Sequence, residues 1–234
     1  MLGLNVEGPV AFAAHHGCVI RLLPKVGDFI ANGAPLFAIH DARGAVDAHA
    51  LHRLVDFGWG RTMCQDPAFG LRQLVDIASK ALSPAVNDPT TAVQAIDRIH
   101  DILSQLIRLP ESAHHYCDRA GNVRLVRDVV VWPGFVALAF EEIRECGARS
   151  VQVHRRLRAS LEELLSIAAP DRRAPLLRQM KLVDRAARRH FAEPEEQAMA
   201  LEADQSGIGG AHDRRAATDS ATATATTGRM SRDW

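Results

Sequence analysis

Two Asp-Pro pairs, Asp66-Pro67 and Asp88-Pro89, constrain this chain more than any other feature. A carboxylate directly before a proline suits a helix start twice over. The side chain accepts from the open N–H groups of the first turn, and the ring presets φ where no N–H is needed. Between the pairs, Ser83-Pro84 stops the first helix, because proline disfavours helical geometry at the residue before it. Leu71, Leu74, Val75, Ala78, Ala81 and Leu82 recur at threes and fours in the first segment. Ala92, Val93, Ile96, Ile99, Leu103 and Leu106 do so in the second. Two helices joined by a short polar corner predict an antiparallel helical hairpin, with the rest of the chain packed around it.

Upstream the pattern is different. Residues 1–45 are rich in Gly and Pro, and their apolar residues cluster in two short strand candidates at 19–23 and 35–39. A small β-rich module is expected there, incomplete at its N-terminus. Gly27-Asp28-Phe29-Ile30-x-x-Gly33-x-Pro35-Leu36 resembles half of the biotinyl- and lipoyl-carrier sandwich. That family carries its cofactor on a lysine between strands, and His40-Asp41-Ala42-Arg43-Gly44 offers none, so no cofactor is expected.

Helical signals begin at Ala45, with a first helix expected over 47–59 around Leu51, Leu54 and Val55. After the hairpin, residues 114–131 read as a β-hairpin turning at Gly121-Asn122. Pro133-Gly134 opens another helix that stops at Gly147, and two more follow through Val153–Ala168 spacing and through Leu176, Met180, Val183 and Ala187. The fold class expected is therefore α+β and mostly helical. A β module at 1–45 precedes a helical domain at 46–203 containing the hairpin. Residues 204–234 are Gly-, Ala-, Thr- and Ser-rich and are expected to be a disordered tail.

Composition narrows the function classes. Lys plus Arg and Asp plus Glu both number 28, so no global field draws this chain to nucleic acid. Four cysteines stand far apart without a Cys-x-x-Cys pair, which argues for reduced thiols in a cytosol-like compartment. No apolar run approaches the ~18 residues of a membrane span, and taken alone the chain reads as cytoplasmic. His49 and His52 share a predicted helix but lack a His-Glu-x-x-His pattern, so no metal site is expected. No nucleophile elbow, phosphate loop or dinucleotide fingerprint occurs, and no catalytic residue can be named.

What remains is the polar content of the hairpin. Arg72, Asp76 and Lys80 stand four apart on one face, as an exposed charge ladder or as one wall of a cleft. Asn87-Asp88-Pro89-Thr90-Thr91 opens a helix whose free N–H groups could meet an anion. Asp88 would cap those same groups itself. Arg72, Asp76, Asn87, Asp88 and Thr91 are the candidate ligand-binding residues.

The stretch Gln65-Asp66-Pro67-x-Phe69-Gly70-Leu71-Arg72-x-Leu74-Val75-Asp76-Ile77-Ala78-x-x-Ala81-Leu82-Ser83-Pro84-x-x-Asn87-Asp88-Pro89-x-Thr91-Ala92 resembles the bacterial predicted membrane proteins grouped as domain of unknown function 2254. The resemblance covers roughly residues 5–200 and implies several transmembrane helices ahead of a region of this kind. It implies membrane association on the cytosolic face, and it brings no catalytic residues. This chain lacks the membrane half, which reads as a truncated or standalone form. The function expected is a regulatory or assembly domain, non-enzymatic, with a missing N-terminal membrane region or a membrane-embedded partner. A homo-oligomer is a further expectation, and nucleic acid is not expected. The alternative is a small-ligand-binding or enzymatic domain with its pocket at the 83–88 corner.

Overall fold

The computed structural model describes residues 3–42, 44, 46–56, 58 and 66–209. Its elements in order are β1 (Gly3–Leu4), α1 (Glu7–His16), β2 (Val19–Leu22), β3 (Phe37–His40), α2 (Ala48–His52), β4 (Val55–Asp56), α3 (Pro67–Ala81) and α4 (Pro89–Leu106). Then come β5 (His115–Cys117), β6 (Val123–Arg127), α5 (Trp132–Cys146), α6 (Val151–Ile167), a 3-10 turn at Pro170–Arg172, α7 (Arg173–His190) and α8 (Pro194–Ala200). The chain is α+β and mostly helical.

Helices α3 and α4 form the expected hairpin, and three more helices complete a ring around it. α3 packs on α4, α4 on α6, α6 on α7, α7 on α5, and α5 returns to α3. The seam residues predicted from spacing meet inside this ring. Leu71 and Val75 join Ile96, Ile99 and Leu103, with Phe140 and Ile143 from α5 and Leu157 and Leu161 from α6, all at most 1% exposed. α7 contributes Leu176 and Val183.

A four-stranded sheet in the order β3-β2-β6-β5 stands beside the bundle. β2 pairs antiparallel with β3 but parallel with β6, Ile20 opposite Leu125. The N-terminal strands and the hairpin strands thus share one sheet, a pairing across a hundred residues that no local pattern encodes. Ile20, Leu22, Cys18 and Leu125 form its core with Ala13, Leu51 and Val55.

Three expectations need correction. α1 was not anticipated, because its apolar residues surround the axis instead of forming a stripe, and Gly8 and Pro9 lie within it. Tertiary fit holds it. A Cβ on Gly8 would lie 3.0 Å from Leu54, and Gly17, at φ 63°, ends the helix by donating to the carbonyls of Ala13 and Ala14. The helix expected over 47–59 stops at His52, since Val55–Asp56 instead pairs with Gly3–Leu4; residues 57 and 59 lie outside the described residues. Residues 204–209, expected within the tail, are ordered on the bundle. Asp204 is fully buried and accepts from the backbone N–H groups of Ser206, Gly207 and Gly209. Gln152 then donates to the carbonyl of Gly207 at 2.8 Å, fastening residues 204–209 on α6. Residues 210–234 lie outside the described residues.

Candidate functional site

Both Asp-Pro pairs cap as their chemistry requires. Asp66 accepts from the N–H of Phe69 at 3.2 Å. Asp88 accepts from the N–H of Thr91 at 3.0 Å through Oδ1 and from the Thr91 hydroxyl at 2.5 Å through Oδ2. These bonds hold the Asp88 carboxyl below the usual carboxylate range, the Thr91 hydroxyl contributing most. An anion at this helix start would face a carboxylate whose two oxygens already occupy the first turn.

The corner itself is built from the backbone. The Ser83 hydroxyl donates to the carbonyl of Lys80 (2.7 Å), Asn87 N–H to that of Ser83 (2.9 Å), and Asp88 N–H to that of Ala81 (2.8 Å). Closing the turn puts Asn87 at φ 48°, the left-handed region that asparagine tolerates better than other residues bearing a Cβ. Asn87 therefore has a conformational role that needs no ligand.

Arg72 lies elsewhere. It stands nine residues before the end of α3, roughly 14 Å along the axis. Its Nη1 donates to Oε1 of Glu142 on α5 at 2.5 Å, and its Nη2 to Oε2 at 2.6 Å. Its Nε donates to Oδ1 of Asp76 at 2.7 Å, and that oxygen also accepts from Nη2. The fork-to-fork pair raises the guanidinium pKa further and holds the Glu142 carboxyl down, with the Arg72 hydrogen bond as the first cause. Of the five candidates, Arg72 and Asp76 meet each other, Asp88 and Thr91 meet each other, Asn87 bonds through its backbone to Ser83, and no bond joins the first pair to the others. Thr91 borders a shallow depression between α3 and α4 with Leu74, Ile77, Asp97 and Arg98.

Sequence reasoning missed a denser polar network between α4 and α6. Arg156 donates from Nε to Oδ1 of Asp97 at 2.5 Å. Nδ1 of His100 lies 3.0 Å from Oγ of Ser160, and Nε2 lies 3.2 Å from Oε2 of Glu163 and 3.3 Å from Oγ of Ser104. Asp97-His100-Ser104 and Arg156-Ser160-Glu163 both run at three- and four-residue spacing, a polar row beside each apolar seam that pattern reading could have found. The Ser-His-Glu string has the composition of a nucleophilic triad, but Ser160 is fully buried between the helices. A hydroxyl there reaches no substrate carbonyl, and the network specifies how α4 registers on α6.

A cavity of about 90 Å³ lies where β2 and β6 end and α3 begins, lined by Leu22, Lys25, Asp66, Arg127 and Phe135 among others. That volume holds a few waters and falls well short of the ~300–1,000 Å³ of small-molecule pockets. Arg127 spends its charge on the ring of Tyr116, with 5.3 Å from guanidinium carbon to ring centre. His49 and His52 have ring centres 6.5 Å apart, and among the described residues no three side chains of metal-ligating type converge. Among the same residues no helix is long and apolar enough to cross a membrane.

Comparison with known proteins places these features in a wider set. The family described as predicted membrane protein, domain of unknown function 2254, matches residues 3–163. Uncharacterized proteins of Mycobacterium tuberculosis and Mycobacterium bovis are 34% identical over 210 residues, 85% of this chain and 39% of theirs. The chain thus spans about two-fifths of the length of the curated relatives it matches. No solved structure matches.

Proposed function

The chain belongs to the family of predicted membrane proteins that carries domain of unknown function 2254, and from that membership we propose that it is a membrane-external regulatory or assembly domain. One observation carries the reading. A family described by its membrane location is represented here by a ring of helices of which none, among the described residues, could cross a bilayer. The relatives are long enough to hold membrane segments outside the matched two-fifths. The polar residues that mark the family stretch support a non-catalytic role, since their charges and donors are used on one another: Arg72 on Glu142 and Asp76, Asp88 on Thr91. A polar pocket at the 83–88 corner, the alternative, has less support, because the corner's carboxylate is engaged within its own helix turn.

Membrane fractionation tests the proposal. A full-length mycobacterial relative should stay with membranes through an alkaline carbonate wash, whereas this 234-residue chain, expressed in the same cells, should be released. Retention of this chain through that wash would contradict it.

A further inference from the structure

α7 is a helix of two unlike faces. Leu176, Gln179, Val183, Ala186 and Ala187 are its buried side. At roughly 100° per residue, the direction opposite their centre falls between Ala174 and Lys181, flanked by Arg185, Arg188 and Arg178. Lys181, Arg185 and Arg188 follow at spacings of four and three, so they form one row, and Leu177 stands at its edge, 44% exposed.

The row is a local asymmetry in a chain whose acidic and basic residues balance at 28 each. α7 has six Lys and Arg against one acid, Asp184, and Arg158 of α6 already holds that acid. Glu141 of α5 accepts from Gln179 at 3.3 Å and, among the cations of α7, approaches Arg178, at 4.0 Å with both side chains exposed. Among the described residues, Lys181, Arg185 and Arg188 pair with no carboxylate. Some outward charges are matched, Arg98 by Asp101 and Glu142 by Arg72; other exposed cations without a carboxylate, such as Lys80, Arg108 and Arg119, lie on separate elements and do not form a row with one another. Arg188, Arg189 and His190 complement the carbonyl end of the helix, but that does not account for Lys181 and Arg185 further from the end.

We propose that the outward face of α7 docks on the anionic headgroups of a phospholipid surface, with the helix lying along that surface. An unmatched row of cations flanked by an exposed leucine has the chemistry of an interfacial helix. The inference rests on the reading of this chain as the membrane-external domain of a membrane protein, which brings such a surface within reach. Nucleic acid offers phosphates too, but α7 has no Phe, Tyr or Trp on which a base could stack.

The test is flotation of the full chain with phosphatidylcholine vesicles, with and without phosphatidylserine, at roughly 0.05 M and 0.5 M salt. The chain should float only with phosphatidylserine and only at low salt. Each of Lys181→Gln, Arg185→Gln and Arg188→Gln should weaken binding by roughly fivefold. Arg119→Gln, in the β5–β6 turn, should leave it unchanged. Circular dichroism should match for all variants, since the replaced side chains are exposed and unpaired. Flotation independent of phosphatidylserine, equal loss in Arg119→Gln, or no flotation at low salt would overturn the proposal. So would tighter, α7-dependent binding to duplex DNA or RNA. Failure here leaves the carbonate wash unaffected, so the two readings fail separately.

Discussion

Arg72 looks like a ligand-binding residue only while α5 is out of view. With Glu142 placed opposite it, the same guanidinium is a clamp between two helices, and its exposed surroundings limit what the clamp contributes. A half-exposed bidentate pair contributes about 1 kcal/mol. Arg72→Ala should therefore lower the urea-derived unfolding free energy by about that much, and a double-mutant cycle with Glu142→Ala should recover most of it as coupling. Because Arg72 holds the Glu142 carboxyl below its usual range, this contribution is present above that range and is lost as pH falls through the lowered value. Asn87 separates conformation from recognition. At φ 48°, Asn87→Gly should be close to neutral, whereas Asn87→Ala should cost about 1 kcal/mol. His154 acts in a different window. It is 1% exposed, its Nε2 lies 3.0 Å from the carbonyl of Ala148, and burial holds its pKa below the ordinary histidine value. The unfolded chain then binds a proton that the folded chain refuses. Stability should fall as pH drops below about 6.5, and His154→Leu should flatten that fall.

At the level of elements, the signals legible in the sequence were those written locally. Asp-Pro caps, seam spacing and the Gly121 turn placed α3 to α7 and the β5–β6 hairpin, because each depends on residues within a turn or two. Gly147 was legible as a stop but not for its full reason. A Cβ there would lie 2.5 Å from Cγ1 of Val153, so Gly147→Ala should cost about 1–3 kcal/mol and be read in the same urea titration. What was not legible came from distance. α1 has no apolar stripe and survives on contacts with the sheet and Leu54. β4 exists because Gly3–Leu4 offers a partner, and β2 finds β6 across a hundred residues. The clamp on Arg72 was half visible, with Asp76 four residues on and Glu142 seventy. The α4–α6 network was present as two polar rows that only packing brings together.

The described residues join a closed helical ring to a sheet, with the family-marking corner spent on holding α3 against α4 and a row of unmatched cations on α7. The expectation of a mostly helical α+β chain in this family is met, and the five candidate residues divide between a clamp and a capped corner. The central proposal is that this ring lies outside the bilayer, and the cytosolic face is the side that the family resemblance implies. The most direct measurement labels single cysteines, in a full-length relative, at the positions matching exposed Val86 and Leu109, using a membrane-impermeant maleimide. Labelling of both in inverted vesicles and of neither in intact spheroplasts is the predicted result. Labelling from outside intact spheroplasts, or protection of both sites in either preparation until detergent is added, would contradict it.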